Sequence, residues 1–166
     1  MTKQKSSISA KQILNFVFLG LIVVFFIALF MFKGRLNNAA STIVLSQATP
    51  ETISAVSAHI DSVYNYRKNS KPFEITFLEF GSTSCSACRR MEKGMQEIQD
   101  LYPNKVNVVF INVTKKENHD LLNFYAIAVI PTQVLLDKTG KKFFRHSGYI
   151  STNELRTLID KNLTQN

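Results

Sequence analysis

Cys85-Ser86-Ala87-Cys88 is the part of this sequence with the most reactive side chains at the most suggestive spacing, and it uses both of the chain's cysteines. Two thiols at positions i and i+3 of a helix's first turn lie close enough to form a disulfide. A helix N-terminus carries partial positive charge, which favours thiolate over thiol. Arg89 and Arg90 follow directly and add cationic field. The expected chemistry is thiol–disulfide exchange. Cys85, at the N-terminal edge, is the exposed nucleophile; Cys88, one turn in, is the resolving thiol that attacks the mixed disulfide and releases the product. Two plainer uses compete. A passive structural disulfide closing so short a loop gains little, because the stabilisation grows with loop length. A metal site needs further ligands, and His59, His119 and His146 are scattered along the chain. No metal and no bound cofactor are expected.

The elements around the pair follow from hydrophobic period and breakers. Ile53, Val56, Ile60 and Val63 recur at three and four and predict a helix, with Thr49 as cap and Pro50 at its first position. Asn69 to Pro72 breaks it, and Phe73 to Phe80 reads as a strand. After a small polar loop, Cys88, Met91, Met95, Ile98 and Leu101 mark a helix opening near Cys85 and ended by Pro103-Asn104. Val106 to Val113 is β-branched and almost continuously apolar, the pattern of a strand buried on both faces at a sheet centre. A helix over about 117–125, a strand over 132–136, a turn at Asp137-Lys138-Thr139-Gly140 and a strand over 142–146 come next. A last helix over about 152–162 has Ser151 as cap. Lys141, Lys142 and Arg145 are expected on a solvated face, and Asn112 and Asn162 open Asn-X-Thr patterns of the kind that arise by chance. This order predicts an α/β fold, a central mixed sheet flanked by helices.

The first part of the chain has another character. Residues 13–32 carry no charge, and a helix of that length spans roughly 30 Å, the thickness of a bilayer core. They are read as a transmembrane anchor, with 1–12 cytoplasmic, 33–48 a polar tether and 49–166 the folded domain. Lys3, Lys5 and Lys11 precede the run and Lys33 and Arg35 follow it, which by the positive-inside rule places the C-terminal domain outside the cytoplasm. A cleaved signal ending near Ala39 to Ser41, with secretion, is the alternative. The net charge of +8 does not indicate nucleic-acid binding. Residues 1–49 hold five Lys/Arg and no acid, whereas residues 50–166 hold fifteen Lys/Arg against twelve Asp/Glu. Composition, at 45% hydrophobic and 19% charged, excludes a disordered polyelectrolyte.

Four segments in this order resemble the thioredoxin family: Phe77-Leu78-Glu79-Phe80, Cys85-Ser86-Ala87-Cys88, Ile130-Pro131-Thr132 and Ser147-Gly148-Tyr149, within about Ile53 to Leu163. The resemblance implies a thioredoxin-like fold, a redox-active Cys85–Cys88 disulfide and a cis peptide before Pro131. It places Ile130, Pro131, Thr132 and Gly148 at the substrate backbone. It also makes Glu79 a buried proton acceptor or relay for Cys88, with its pKa raised by burial; the competing view is a carboxylate at a strand edge facing solvent. The chain departs from the family pattern at several positions. Ser84 stands where a Trp is common, Phe110 where a Lys often partners the buried acid, Lys93 where a Pro kinks the helix, and Glu79 is longer than the usual Asp.

With the anchor, the resemblance implies a membrane-tethered, extracytoplasmic oxidoreductase acting on disulfide or dithiol groups of exported proteins. Reduction is the preferred direction. Anchored reductants of this kind draw electrons from a polytopic membrane thiol transporter, and their clients include apocytochrome c. A disulfide-forming oxidant is one alternative. A non-catalytic peptide-binding or assembly module on the same fold is the other.

Overall fold

The computed structural model describes residue 11, residues 15–28 and residues 49–164. The chain divides into two units between Ala39 and Ala40. In the first, residues 15–28 are helical, with exposed apolar side chains such as Phe16, Leu19 and Phe25. Among the described residues no helix is long and apolar enough to cross a membrane. The expected anchor at 13–32 lies partly outside the described residues, as does the whole tether at 33–48.

The second unit is a four-stranded mixed sheet with helices on both faces. Helix α1 (Pro50–Tyr64) starts with Thr49 as cap, whose hydroxyl accepts from the Thr52 N–H at 3.2 Å. A single helical turn, α2 (Tyr66–Asn69), follows where continuous helix was expected, because the chain leaves helical geometry at Asn65. The strands are β1 (Ile75–Gly81), β2 (Val106–Asn112), β3 (Thr132–Leu136) and β4 (Lys142–Ser147). Helix α3 (Ser86–Leu101) follows β1; a 3-10 turn (Lys116–Asn118) and α4 (His119–Phe124) follow β2; α5 (Thr152–Leu163) closes the chain.

Strand order is β2-β1-β3-β4, with β1 and β2 parallel and the other pairs antiparallel. Alternate residues of a strand serve opposite faces. Leu78 and Phe80 of β1 pack with Val56, Ile60 and Tyr64 of α1 on one side. Ile75 and Phe77 pack with Met91 and Ile98 of α3 and Leu155 and Ile159 of α5 on the other.

The structure corrects four further sequence expectations. The fully buried strands are β1 and β3; among the described residues β2 lies at the end of the sheet, and Phe110 is 40% exposed. Strand β1 begins at Ile75 because the N–H groups of both Glu74 and Ile75 donate to the Lys105 carbonyl, which fixes the strand's entry there. The helix expected over 117–125 opens as the 3-10 turn and becomes α-helical at His119. Arg145 is half-buried, and its guanidinium donates to the Ala126 carbonyl at 2.9 Å, so it does not belong to a solvated basic face.

Candidate active site

Strand β1 leads directly into the cysteines. It ends at Gly81, and Ser82 to Ser84 turn the chain: the Ser84 N–H donates to Ser82 Oγ at 3.3 Å and the Cys85 N–H to the Ser82 carbonyl at 3.1 Å. Ser84, in place of the expected Trp, is thus tied into this loop. Cys85 is the N-cap of α3 and is half-exposed, while Cys88 is buried at 3% exposure. They are joined as a disulfide with Cα atoms 5.2 Å apart. The Cys88 N–H donates to Cys85 Sγ at 3.2 Å. That contact would stabilise a thiolate on Cys85 after reduction, because it combines a backbone donor with the positive end of a four-turn helix.

Gly81 fits this arrangement closely. A Cβ there would meet Phe110 Cε2 at 3.0 Å and Cys88 Cβ at 3.3 Å, so any larger residue makes these neighbours shift by a few tenths of an ångström beside the resolving cysteine. Lys93 projects into solvent near Glu97, and α3 runs unbroken from Ser86 to Leu101. The arginines take separate paths. Arg89 Nη1 donates to the Thr83 carbonyl at 3.4 Å, and the Arg90 guanidinium lies 5.6 Å from the centre of the Tyr149 ring.

Two further loops meet beside this one. The Ile130–Pro131 peptide is cis. Gly148, at φ +106°, donates its N–H to the Pro131 carbonyl at 2.8 Å. Thr132 is fully buried; its hydroxyl donates to the Val129 carbonyl at 2.8 Å and lies 3.0 Å from Ser147 Oγ. The Thr132 side chain therefore holds the loop together and does not face solvent, whereas Ile130 is half-buried against the core.

Glu79 is 0% exposed, so the solvent-facing alternative for it fails. It lies on the α3 side of β1, on the same face as Phe77 and Gly81. Phe110 stands opposite it on β2 and Gln133 on β3. Burial raises its pKa from 4.5 to about 8, and the hydrogen bond from Gln133 Nε2 to Glu79 Oε1, at 3.3 Å, opposes that rise. Sequence reading missed Gln133, Gly81 and the Arg90–Tyr149 contact. Only the long-range pairing of β1 with β3, which sets Gln133 opposite Glu79, draws attention to the first. His59 and His119 are exposed. His146, half-buried, has its Nε2 3.2 Å from the Tyr149 carbonyl. Among the described residues no group of three metal-binding side chains forms.

The family model of the thioredoxin-like domain matches residues 61–163. The chain belongs to that family. A thioredoxin of Buchnera aphidicola is 32% identical over 95 residues, covering 57% of this chain and 83% of that protein. The chloroplastic thioredoxin Y of Oryza sativa subsp. japonica is 30% identical over 96 residues, 58% of this chain. The match takes in 54% of that protein, so the chain spans about half of its length. A solved structure of thioredoxin-2 from the malaria parasite is 25% identical, with a TM-score of 0.49 over 53% of this chain and 82% of that one. The thioredoxin-like fold and the Cys85–Cys88 disulfide together support thiol–disulfide oxidoreductase activity.

Proposed function

We propose that this chain is a membrane-anchored thioredoxin-like reductase of disulfides in exported proteins. The observation that carries the exchange chemistry is the Cys85–Cys88 disulfide at the N-terminus of α3, with the Cys88 N–H on Cys85 Sγ. In the reduced protein the Cys85 thiolate attacks a client disulfide. A Cys85–client bond forms, and the displaced client sulfur leaves as a thiolate and takes a proton from solvent. Cys88 then passes its thiol proton to the Glu79 carboxylate and attacks Cys85 Sγ. The Cys85–Cys88 bond forms and the second client sulfur leaves, so two electrons have moved from the protein to the client. The Pro131–Gly148 edge holds the client backbone, through Ile130, Pro131 and Gly148.

The apolar helix at residues 15–28, within the uncharged run 13–32, supports an anchor, and the basic residues before it support an extracytoplasmic domain. Ser86 and Ala87 do not themselves decide the potential; the absence of a histidine between the cysteines leans toward reduction. Outside the cytoplasm disulfides persist, so a reductant there must be recharged. A polytopic membrane thiol transporter would supply electrons, and apocytochrome c is one client that fits.

The test is the redox equilibrium of the full chain against glutathione, read by thiol alkylation. A potential near −270 mV is expected, and one near −120 mV would make the protein a disulfide donor instead. Cys88→Ser is expected to trap clients on Cys85, and Cys85→Ser to trap none. A pair that never cycles would overturn the exchange chemistry and leave a peptide-binding module.

A further inference from the structure

Glu79 is a buried acid whose one hydrogen-bonding neighbour among the described residues, Gln133, is neutral. The row across the sheet at its level reads Phe110 on β2, Glu79 on β1, Gln133 on β3 and His146 on β4. Glu79 and Gln133 are both 0% exposed. Gln133 Nε2 donates to Glu79 Oε1, and this leaves two buried oxygens, Glu79 Oε2 and Gln133 Oε1, without a hydrogen-bond partner. The other groups on this face are Phe77 and Gly81 of β1, Val108 of β2, Leu135 of β3, Cys88 and Met91 of α3, and Leu155 and Ile159 of α5. Tyr102 and Asp160 bond to each other at the C-terminal end of α3, and Arg89 and Arg90 lie on its exposed side. His146 is half-buried beside Tyr149, and Glu154 is engaged by Ser151. Among the described residues no cation reaches Glu79.

An amide differs from a cation in one respect that matters here. It carries both a donor and an acceptor, and half a turn about its last bond exchanges them. A carboxylate needs a donor. A protonated acid, with its O–H, needs an acceptor. A lysine could serve only the first.

We propose that Gln133 is the positioning residue for the proton on Glu79: its amide donates to the carboxylate, turns over to accept from the protonated acid, and so keeps Glu79 hydrogen-bonded in both states. The proposal rests on the exchange chemistry proposed above. The proton from Cys88 then enters and leaves a site that is paired before and after the transfer. This compensates for Phe110, which stands where a charged partner would otherwise select one state.

The experiment is the pH dependence of Cys88-dependent resolution of the mixed disulfide, in the full chain, for the wild type, Gln133→Met, Glu79→Gln, Glu79→Gln/Gln133→Met and His146→Phe. Gln133→Met loses both bonds, but the one to the carboxylate is charge-assisted and the stronger, so the midpoint should move upward, with resolution about tenfold slower at about pH 7. Glu79→Gln should abolish the inflection, and adding Gln133→Met to it should change nothing further. His146→Phe should leave the midpoint in place. In parallel, NMR of glutamine-labelled full chain should show one side-chain amide, absent in Gln133→Met, that shifts with the Glu79 midpoint and becomes pH-independent in Glu79→Gln. An unmoved midpoint in Gln133→Met, a midpoint that follows His146, or a Gln133 amide indifferent to pH overturns the proposal. The NMR titration uses no client. Should the cysteines fail to cycle, the reading of the function fails, and Gln133 is still tested.

Discussion

Glu79 is an acid that the fold keeps mostly protonated at neutral pH, with a minority of carboxylate left to accept the Cys88 proton, and this has a stability cost that can be measured. Its proton leaves near pH 8 in the folded chain, against 4.5 without the burial. Between those values the folded chain holds a proton that the unfolded chain has released. Stability therefore falls as pH rises from about 4.5 to about 8, and stays at the lower level above. Glu79→Gln removes the effect, and its gain at about pH 9 is at most about 5 kcal/mol, with little gain at about pH 4. Urea melts at the two pH values measure the difference; equal gains at both would refute it. The cysteine pair was legible because its chemistry is local, four residues on one helical turn. Glu79 could be found from its offset to that pair, but its protonation depends on burial. Gln133 was invisible because its importance comes from facing Glu79 across two strands fifty-four positions apart in sequence.

The elements that hold the site are stabilised by features of their own. Helix α5 begins with a capping box: Ser151 Oγ accepts from the Glu154 N–H at 3.3 Å, and Glu154 Oε2 accepts from the Ser151 N–H at 3.0 Å. It packs close to α3, where a Cβ on Gly94 would come within 3.2 Å of Thr152 Oγ1. Ser151→Ala should lower stability by about 1 kcal/mol, seen as a lower urea midpoint with an unchanged slope, while the redox potential of the cysteines stays as in the wild type. A change in potential would mean that the cap reaches the site through α3. Most of these elements could be read from period and breakers. The order of the strands could not. Strand β2 looked central because Val109 and Ile111 serve one core while Val106 and Val108 serve the other. Two apolar faces show that a strand lies between two layers; they say nothing about how many strands flank it. Arg145 was misplaced for a similar reason, since its acceptor is a carbonyl on a distant loop.

For the whole molecule, the prediction concerns the first unit. If residues 13–32 anchor the chain, the full protein should remain with membranes through an alkaline carbonate wash, and a chain lacking residues 1–32 should be released while keeping its exchange activity. Release of the full chain by the wash would refute the anchor. The charge of the molecule is also unevenly placed. The chain is +8 overall, and Arg89 and Arg90 stand exposed beside the half-exposed Cys85. Glu79 sits beneath them with a phenyl ring on one side and an amide on the other. At physiological ionic strength screening acts over about 8 Å in solution and far less within a packed interior. Dissolved salt therefore acts on the encounter between a charged client and the rim of the site, and leaves untouched the proton step buried below it.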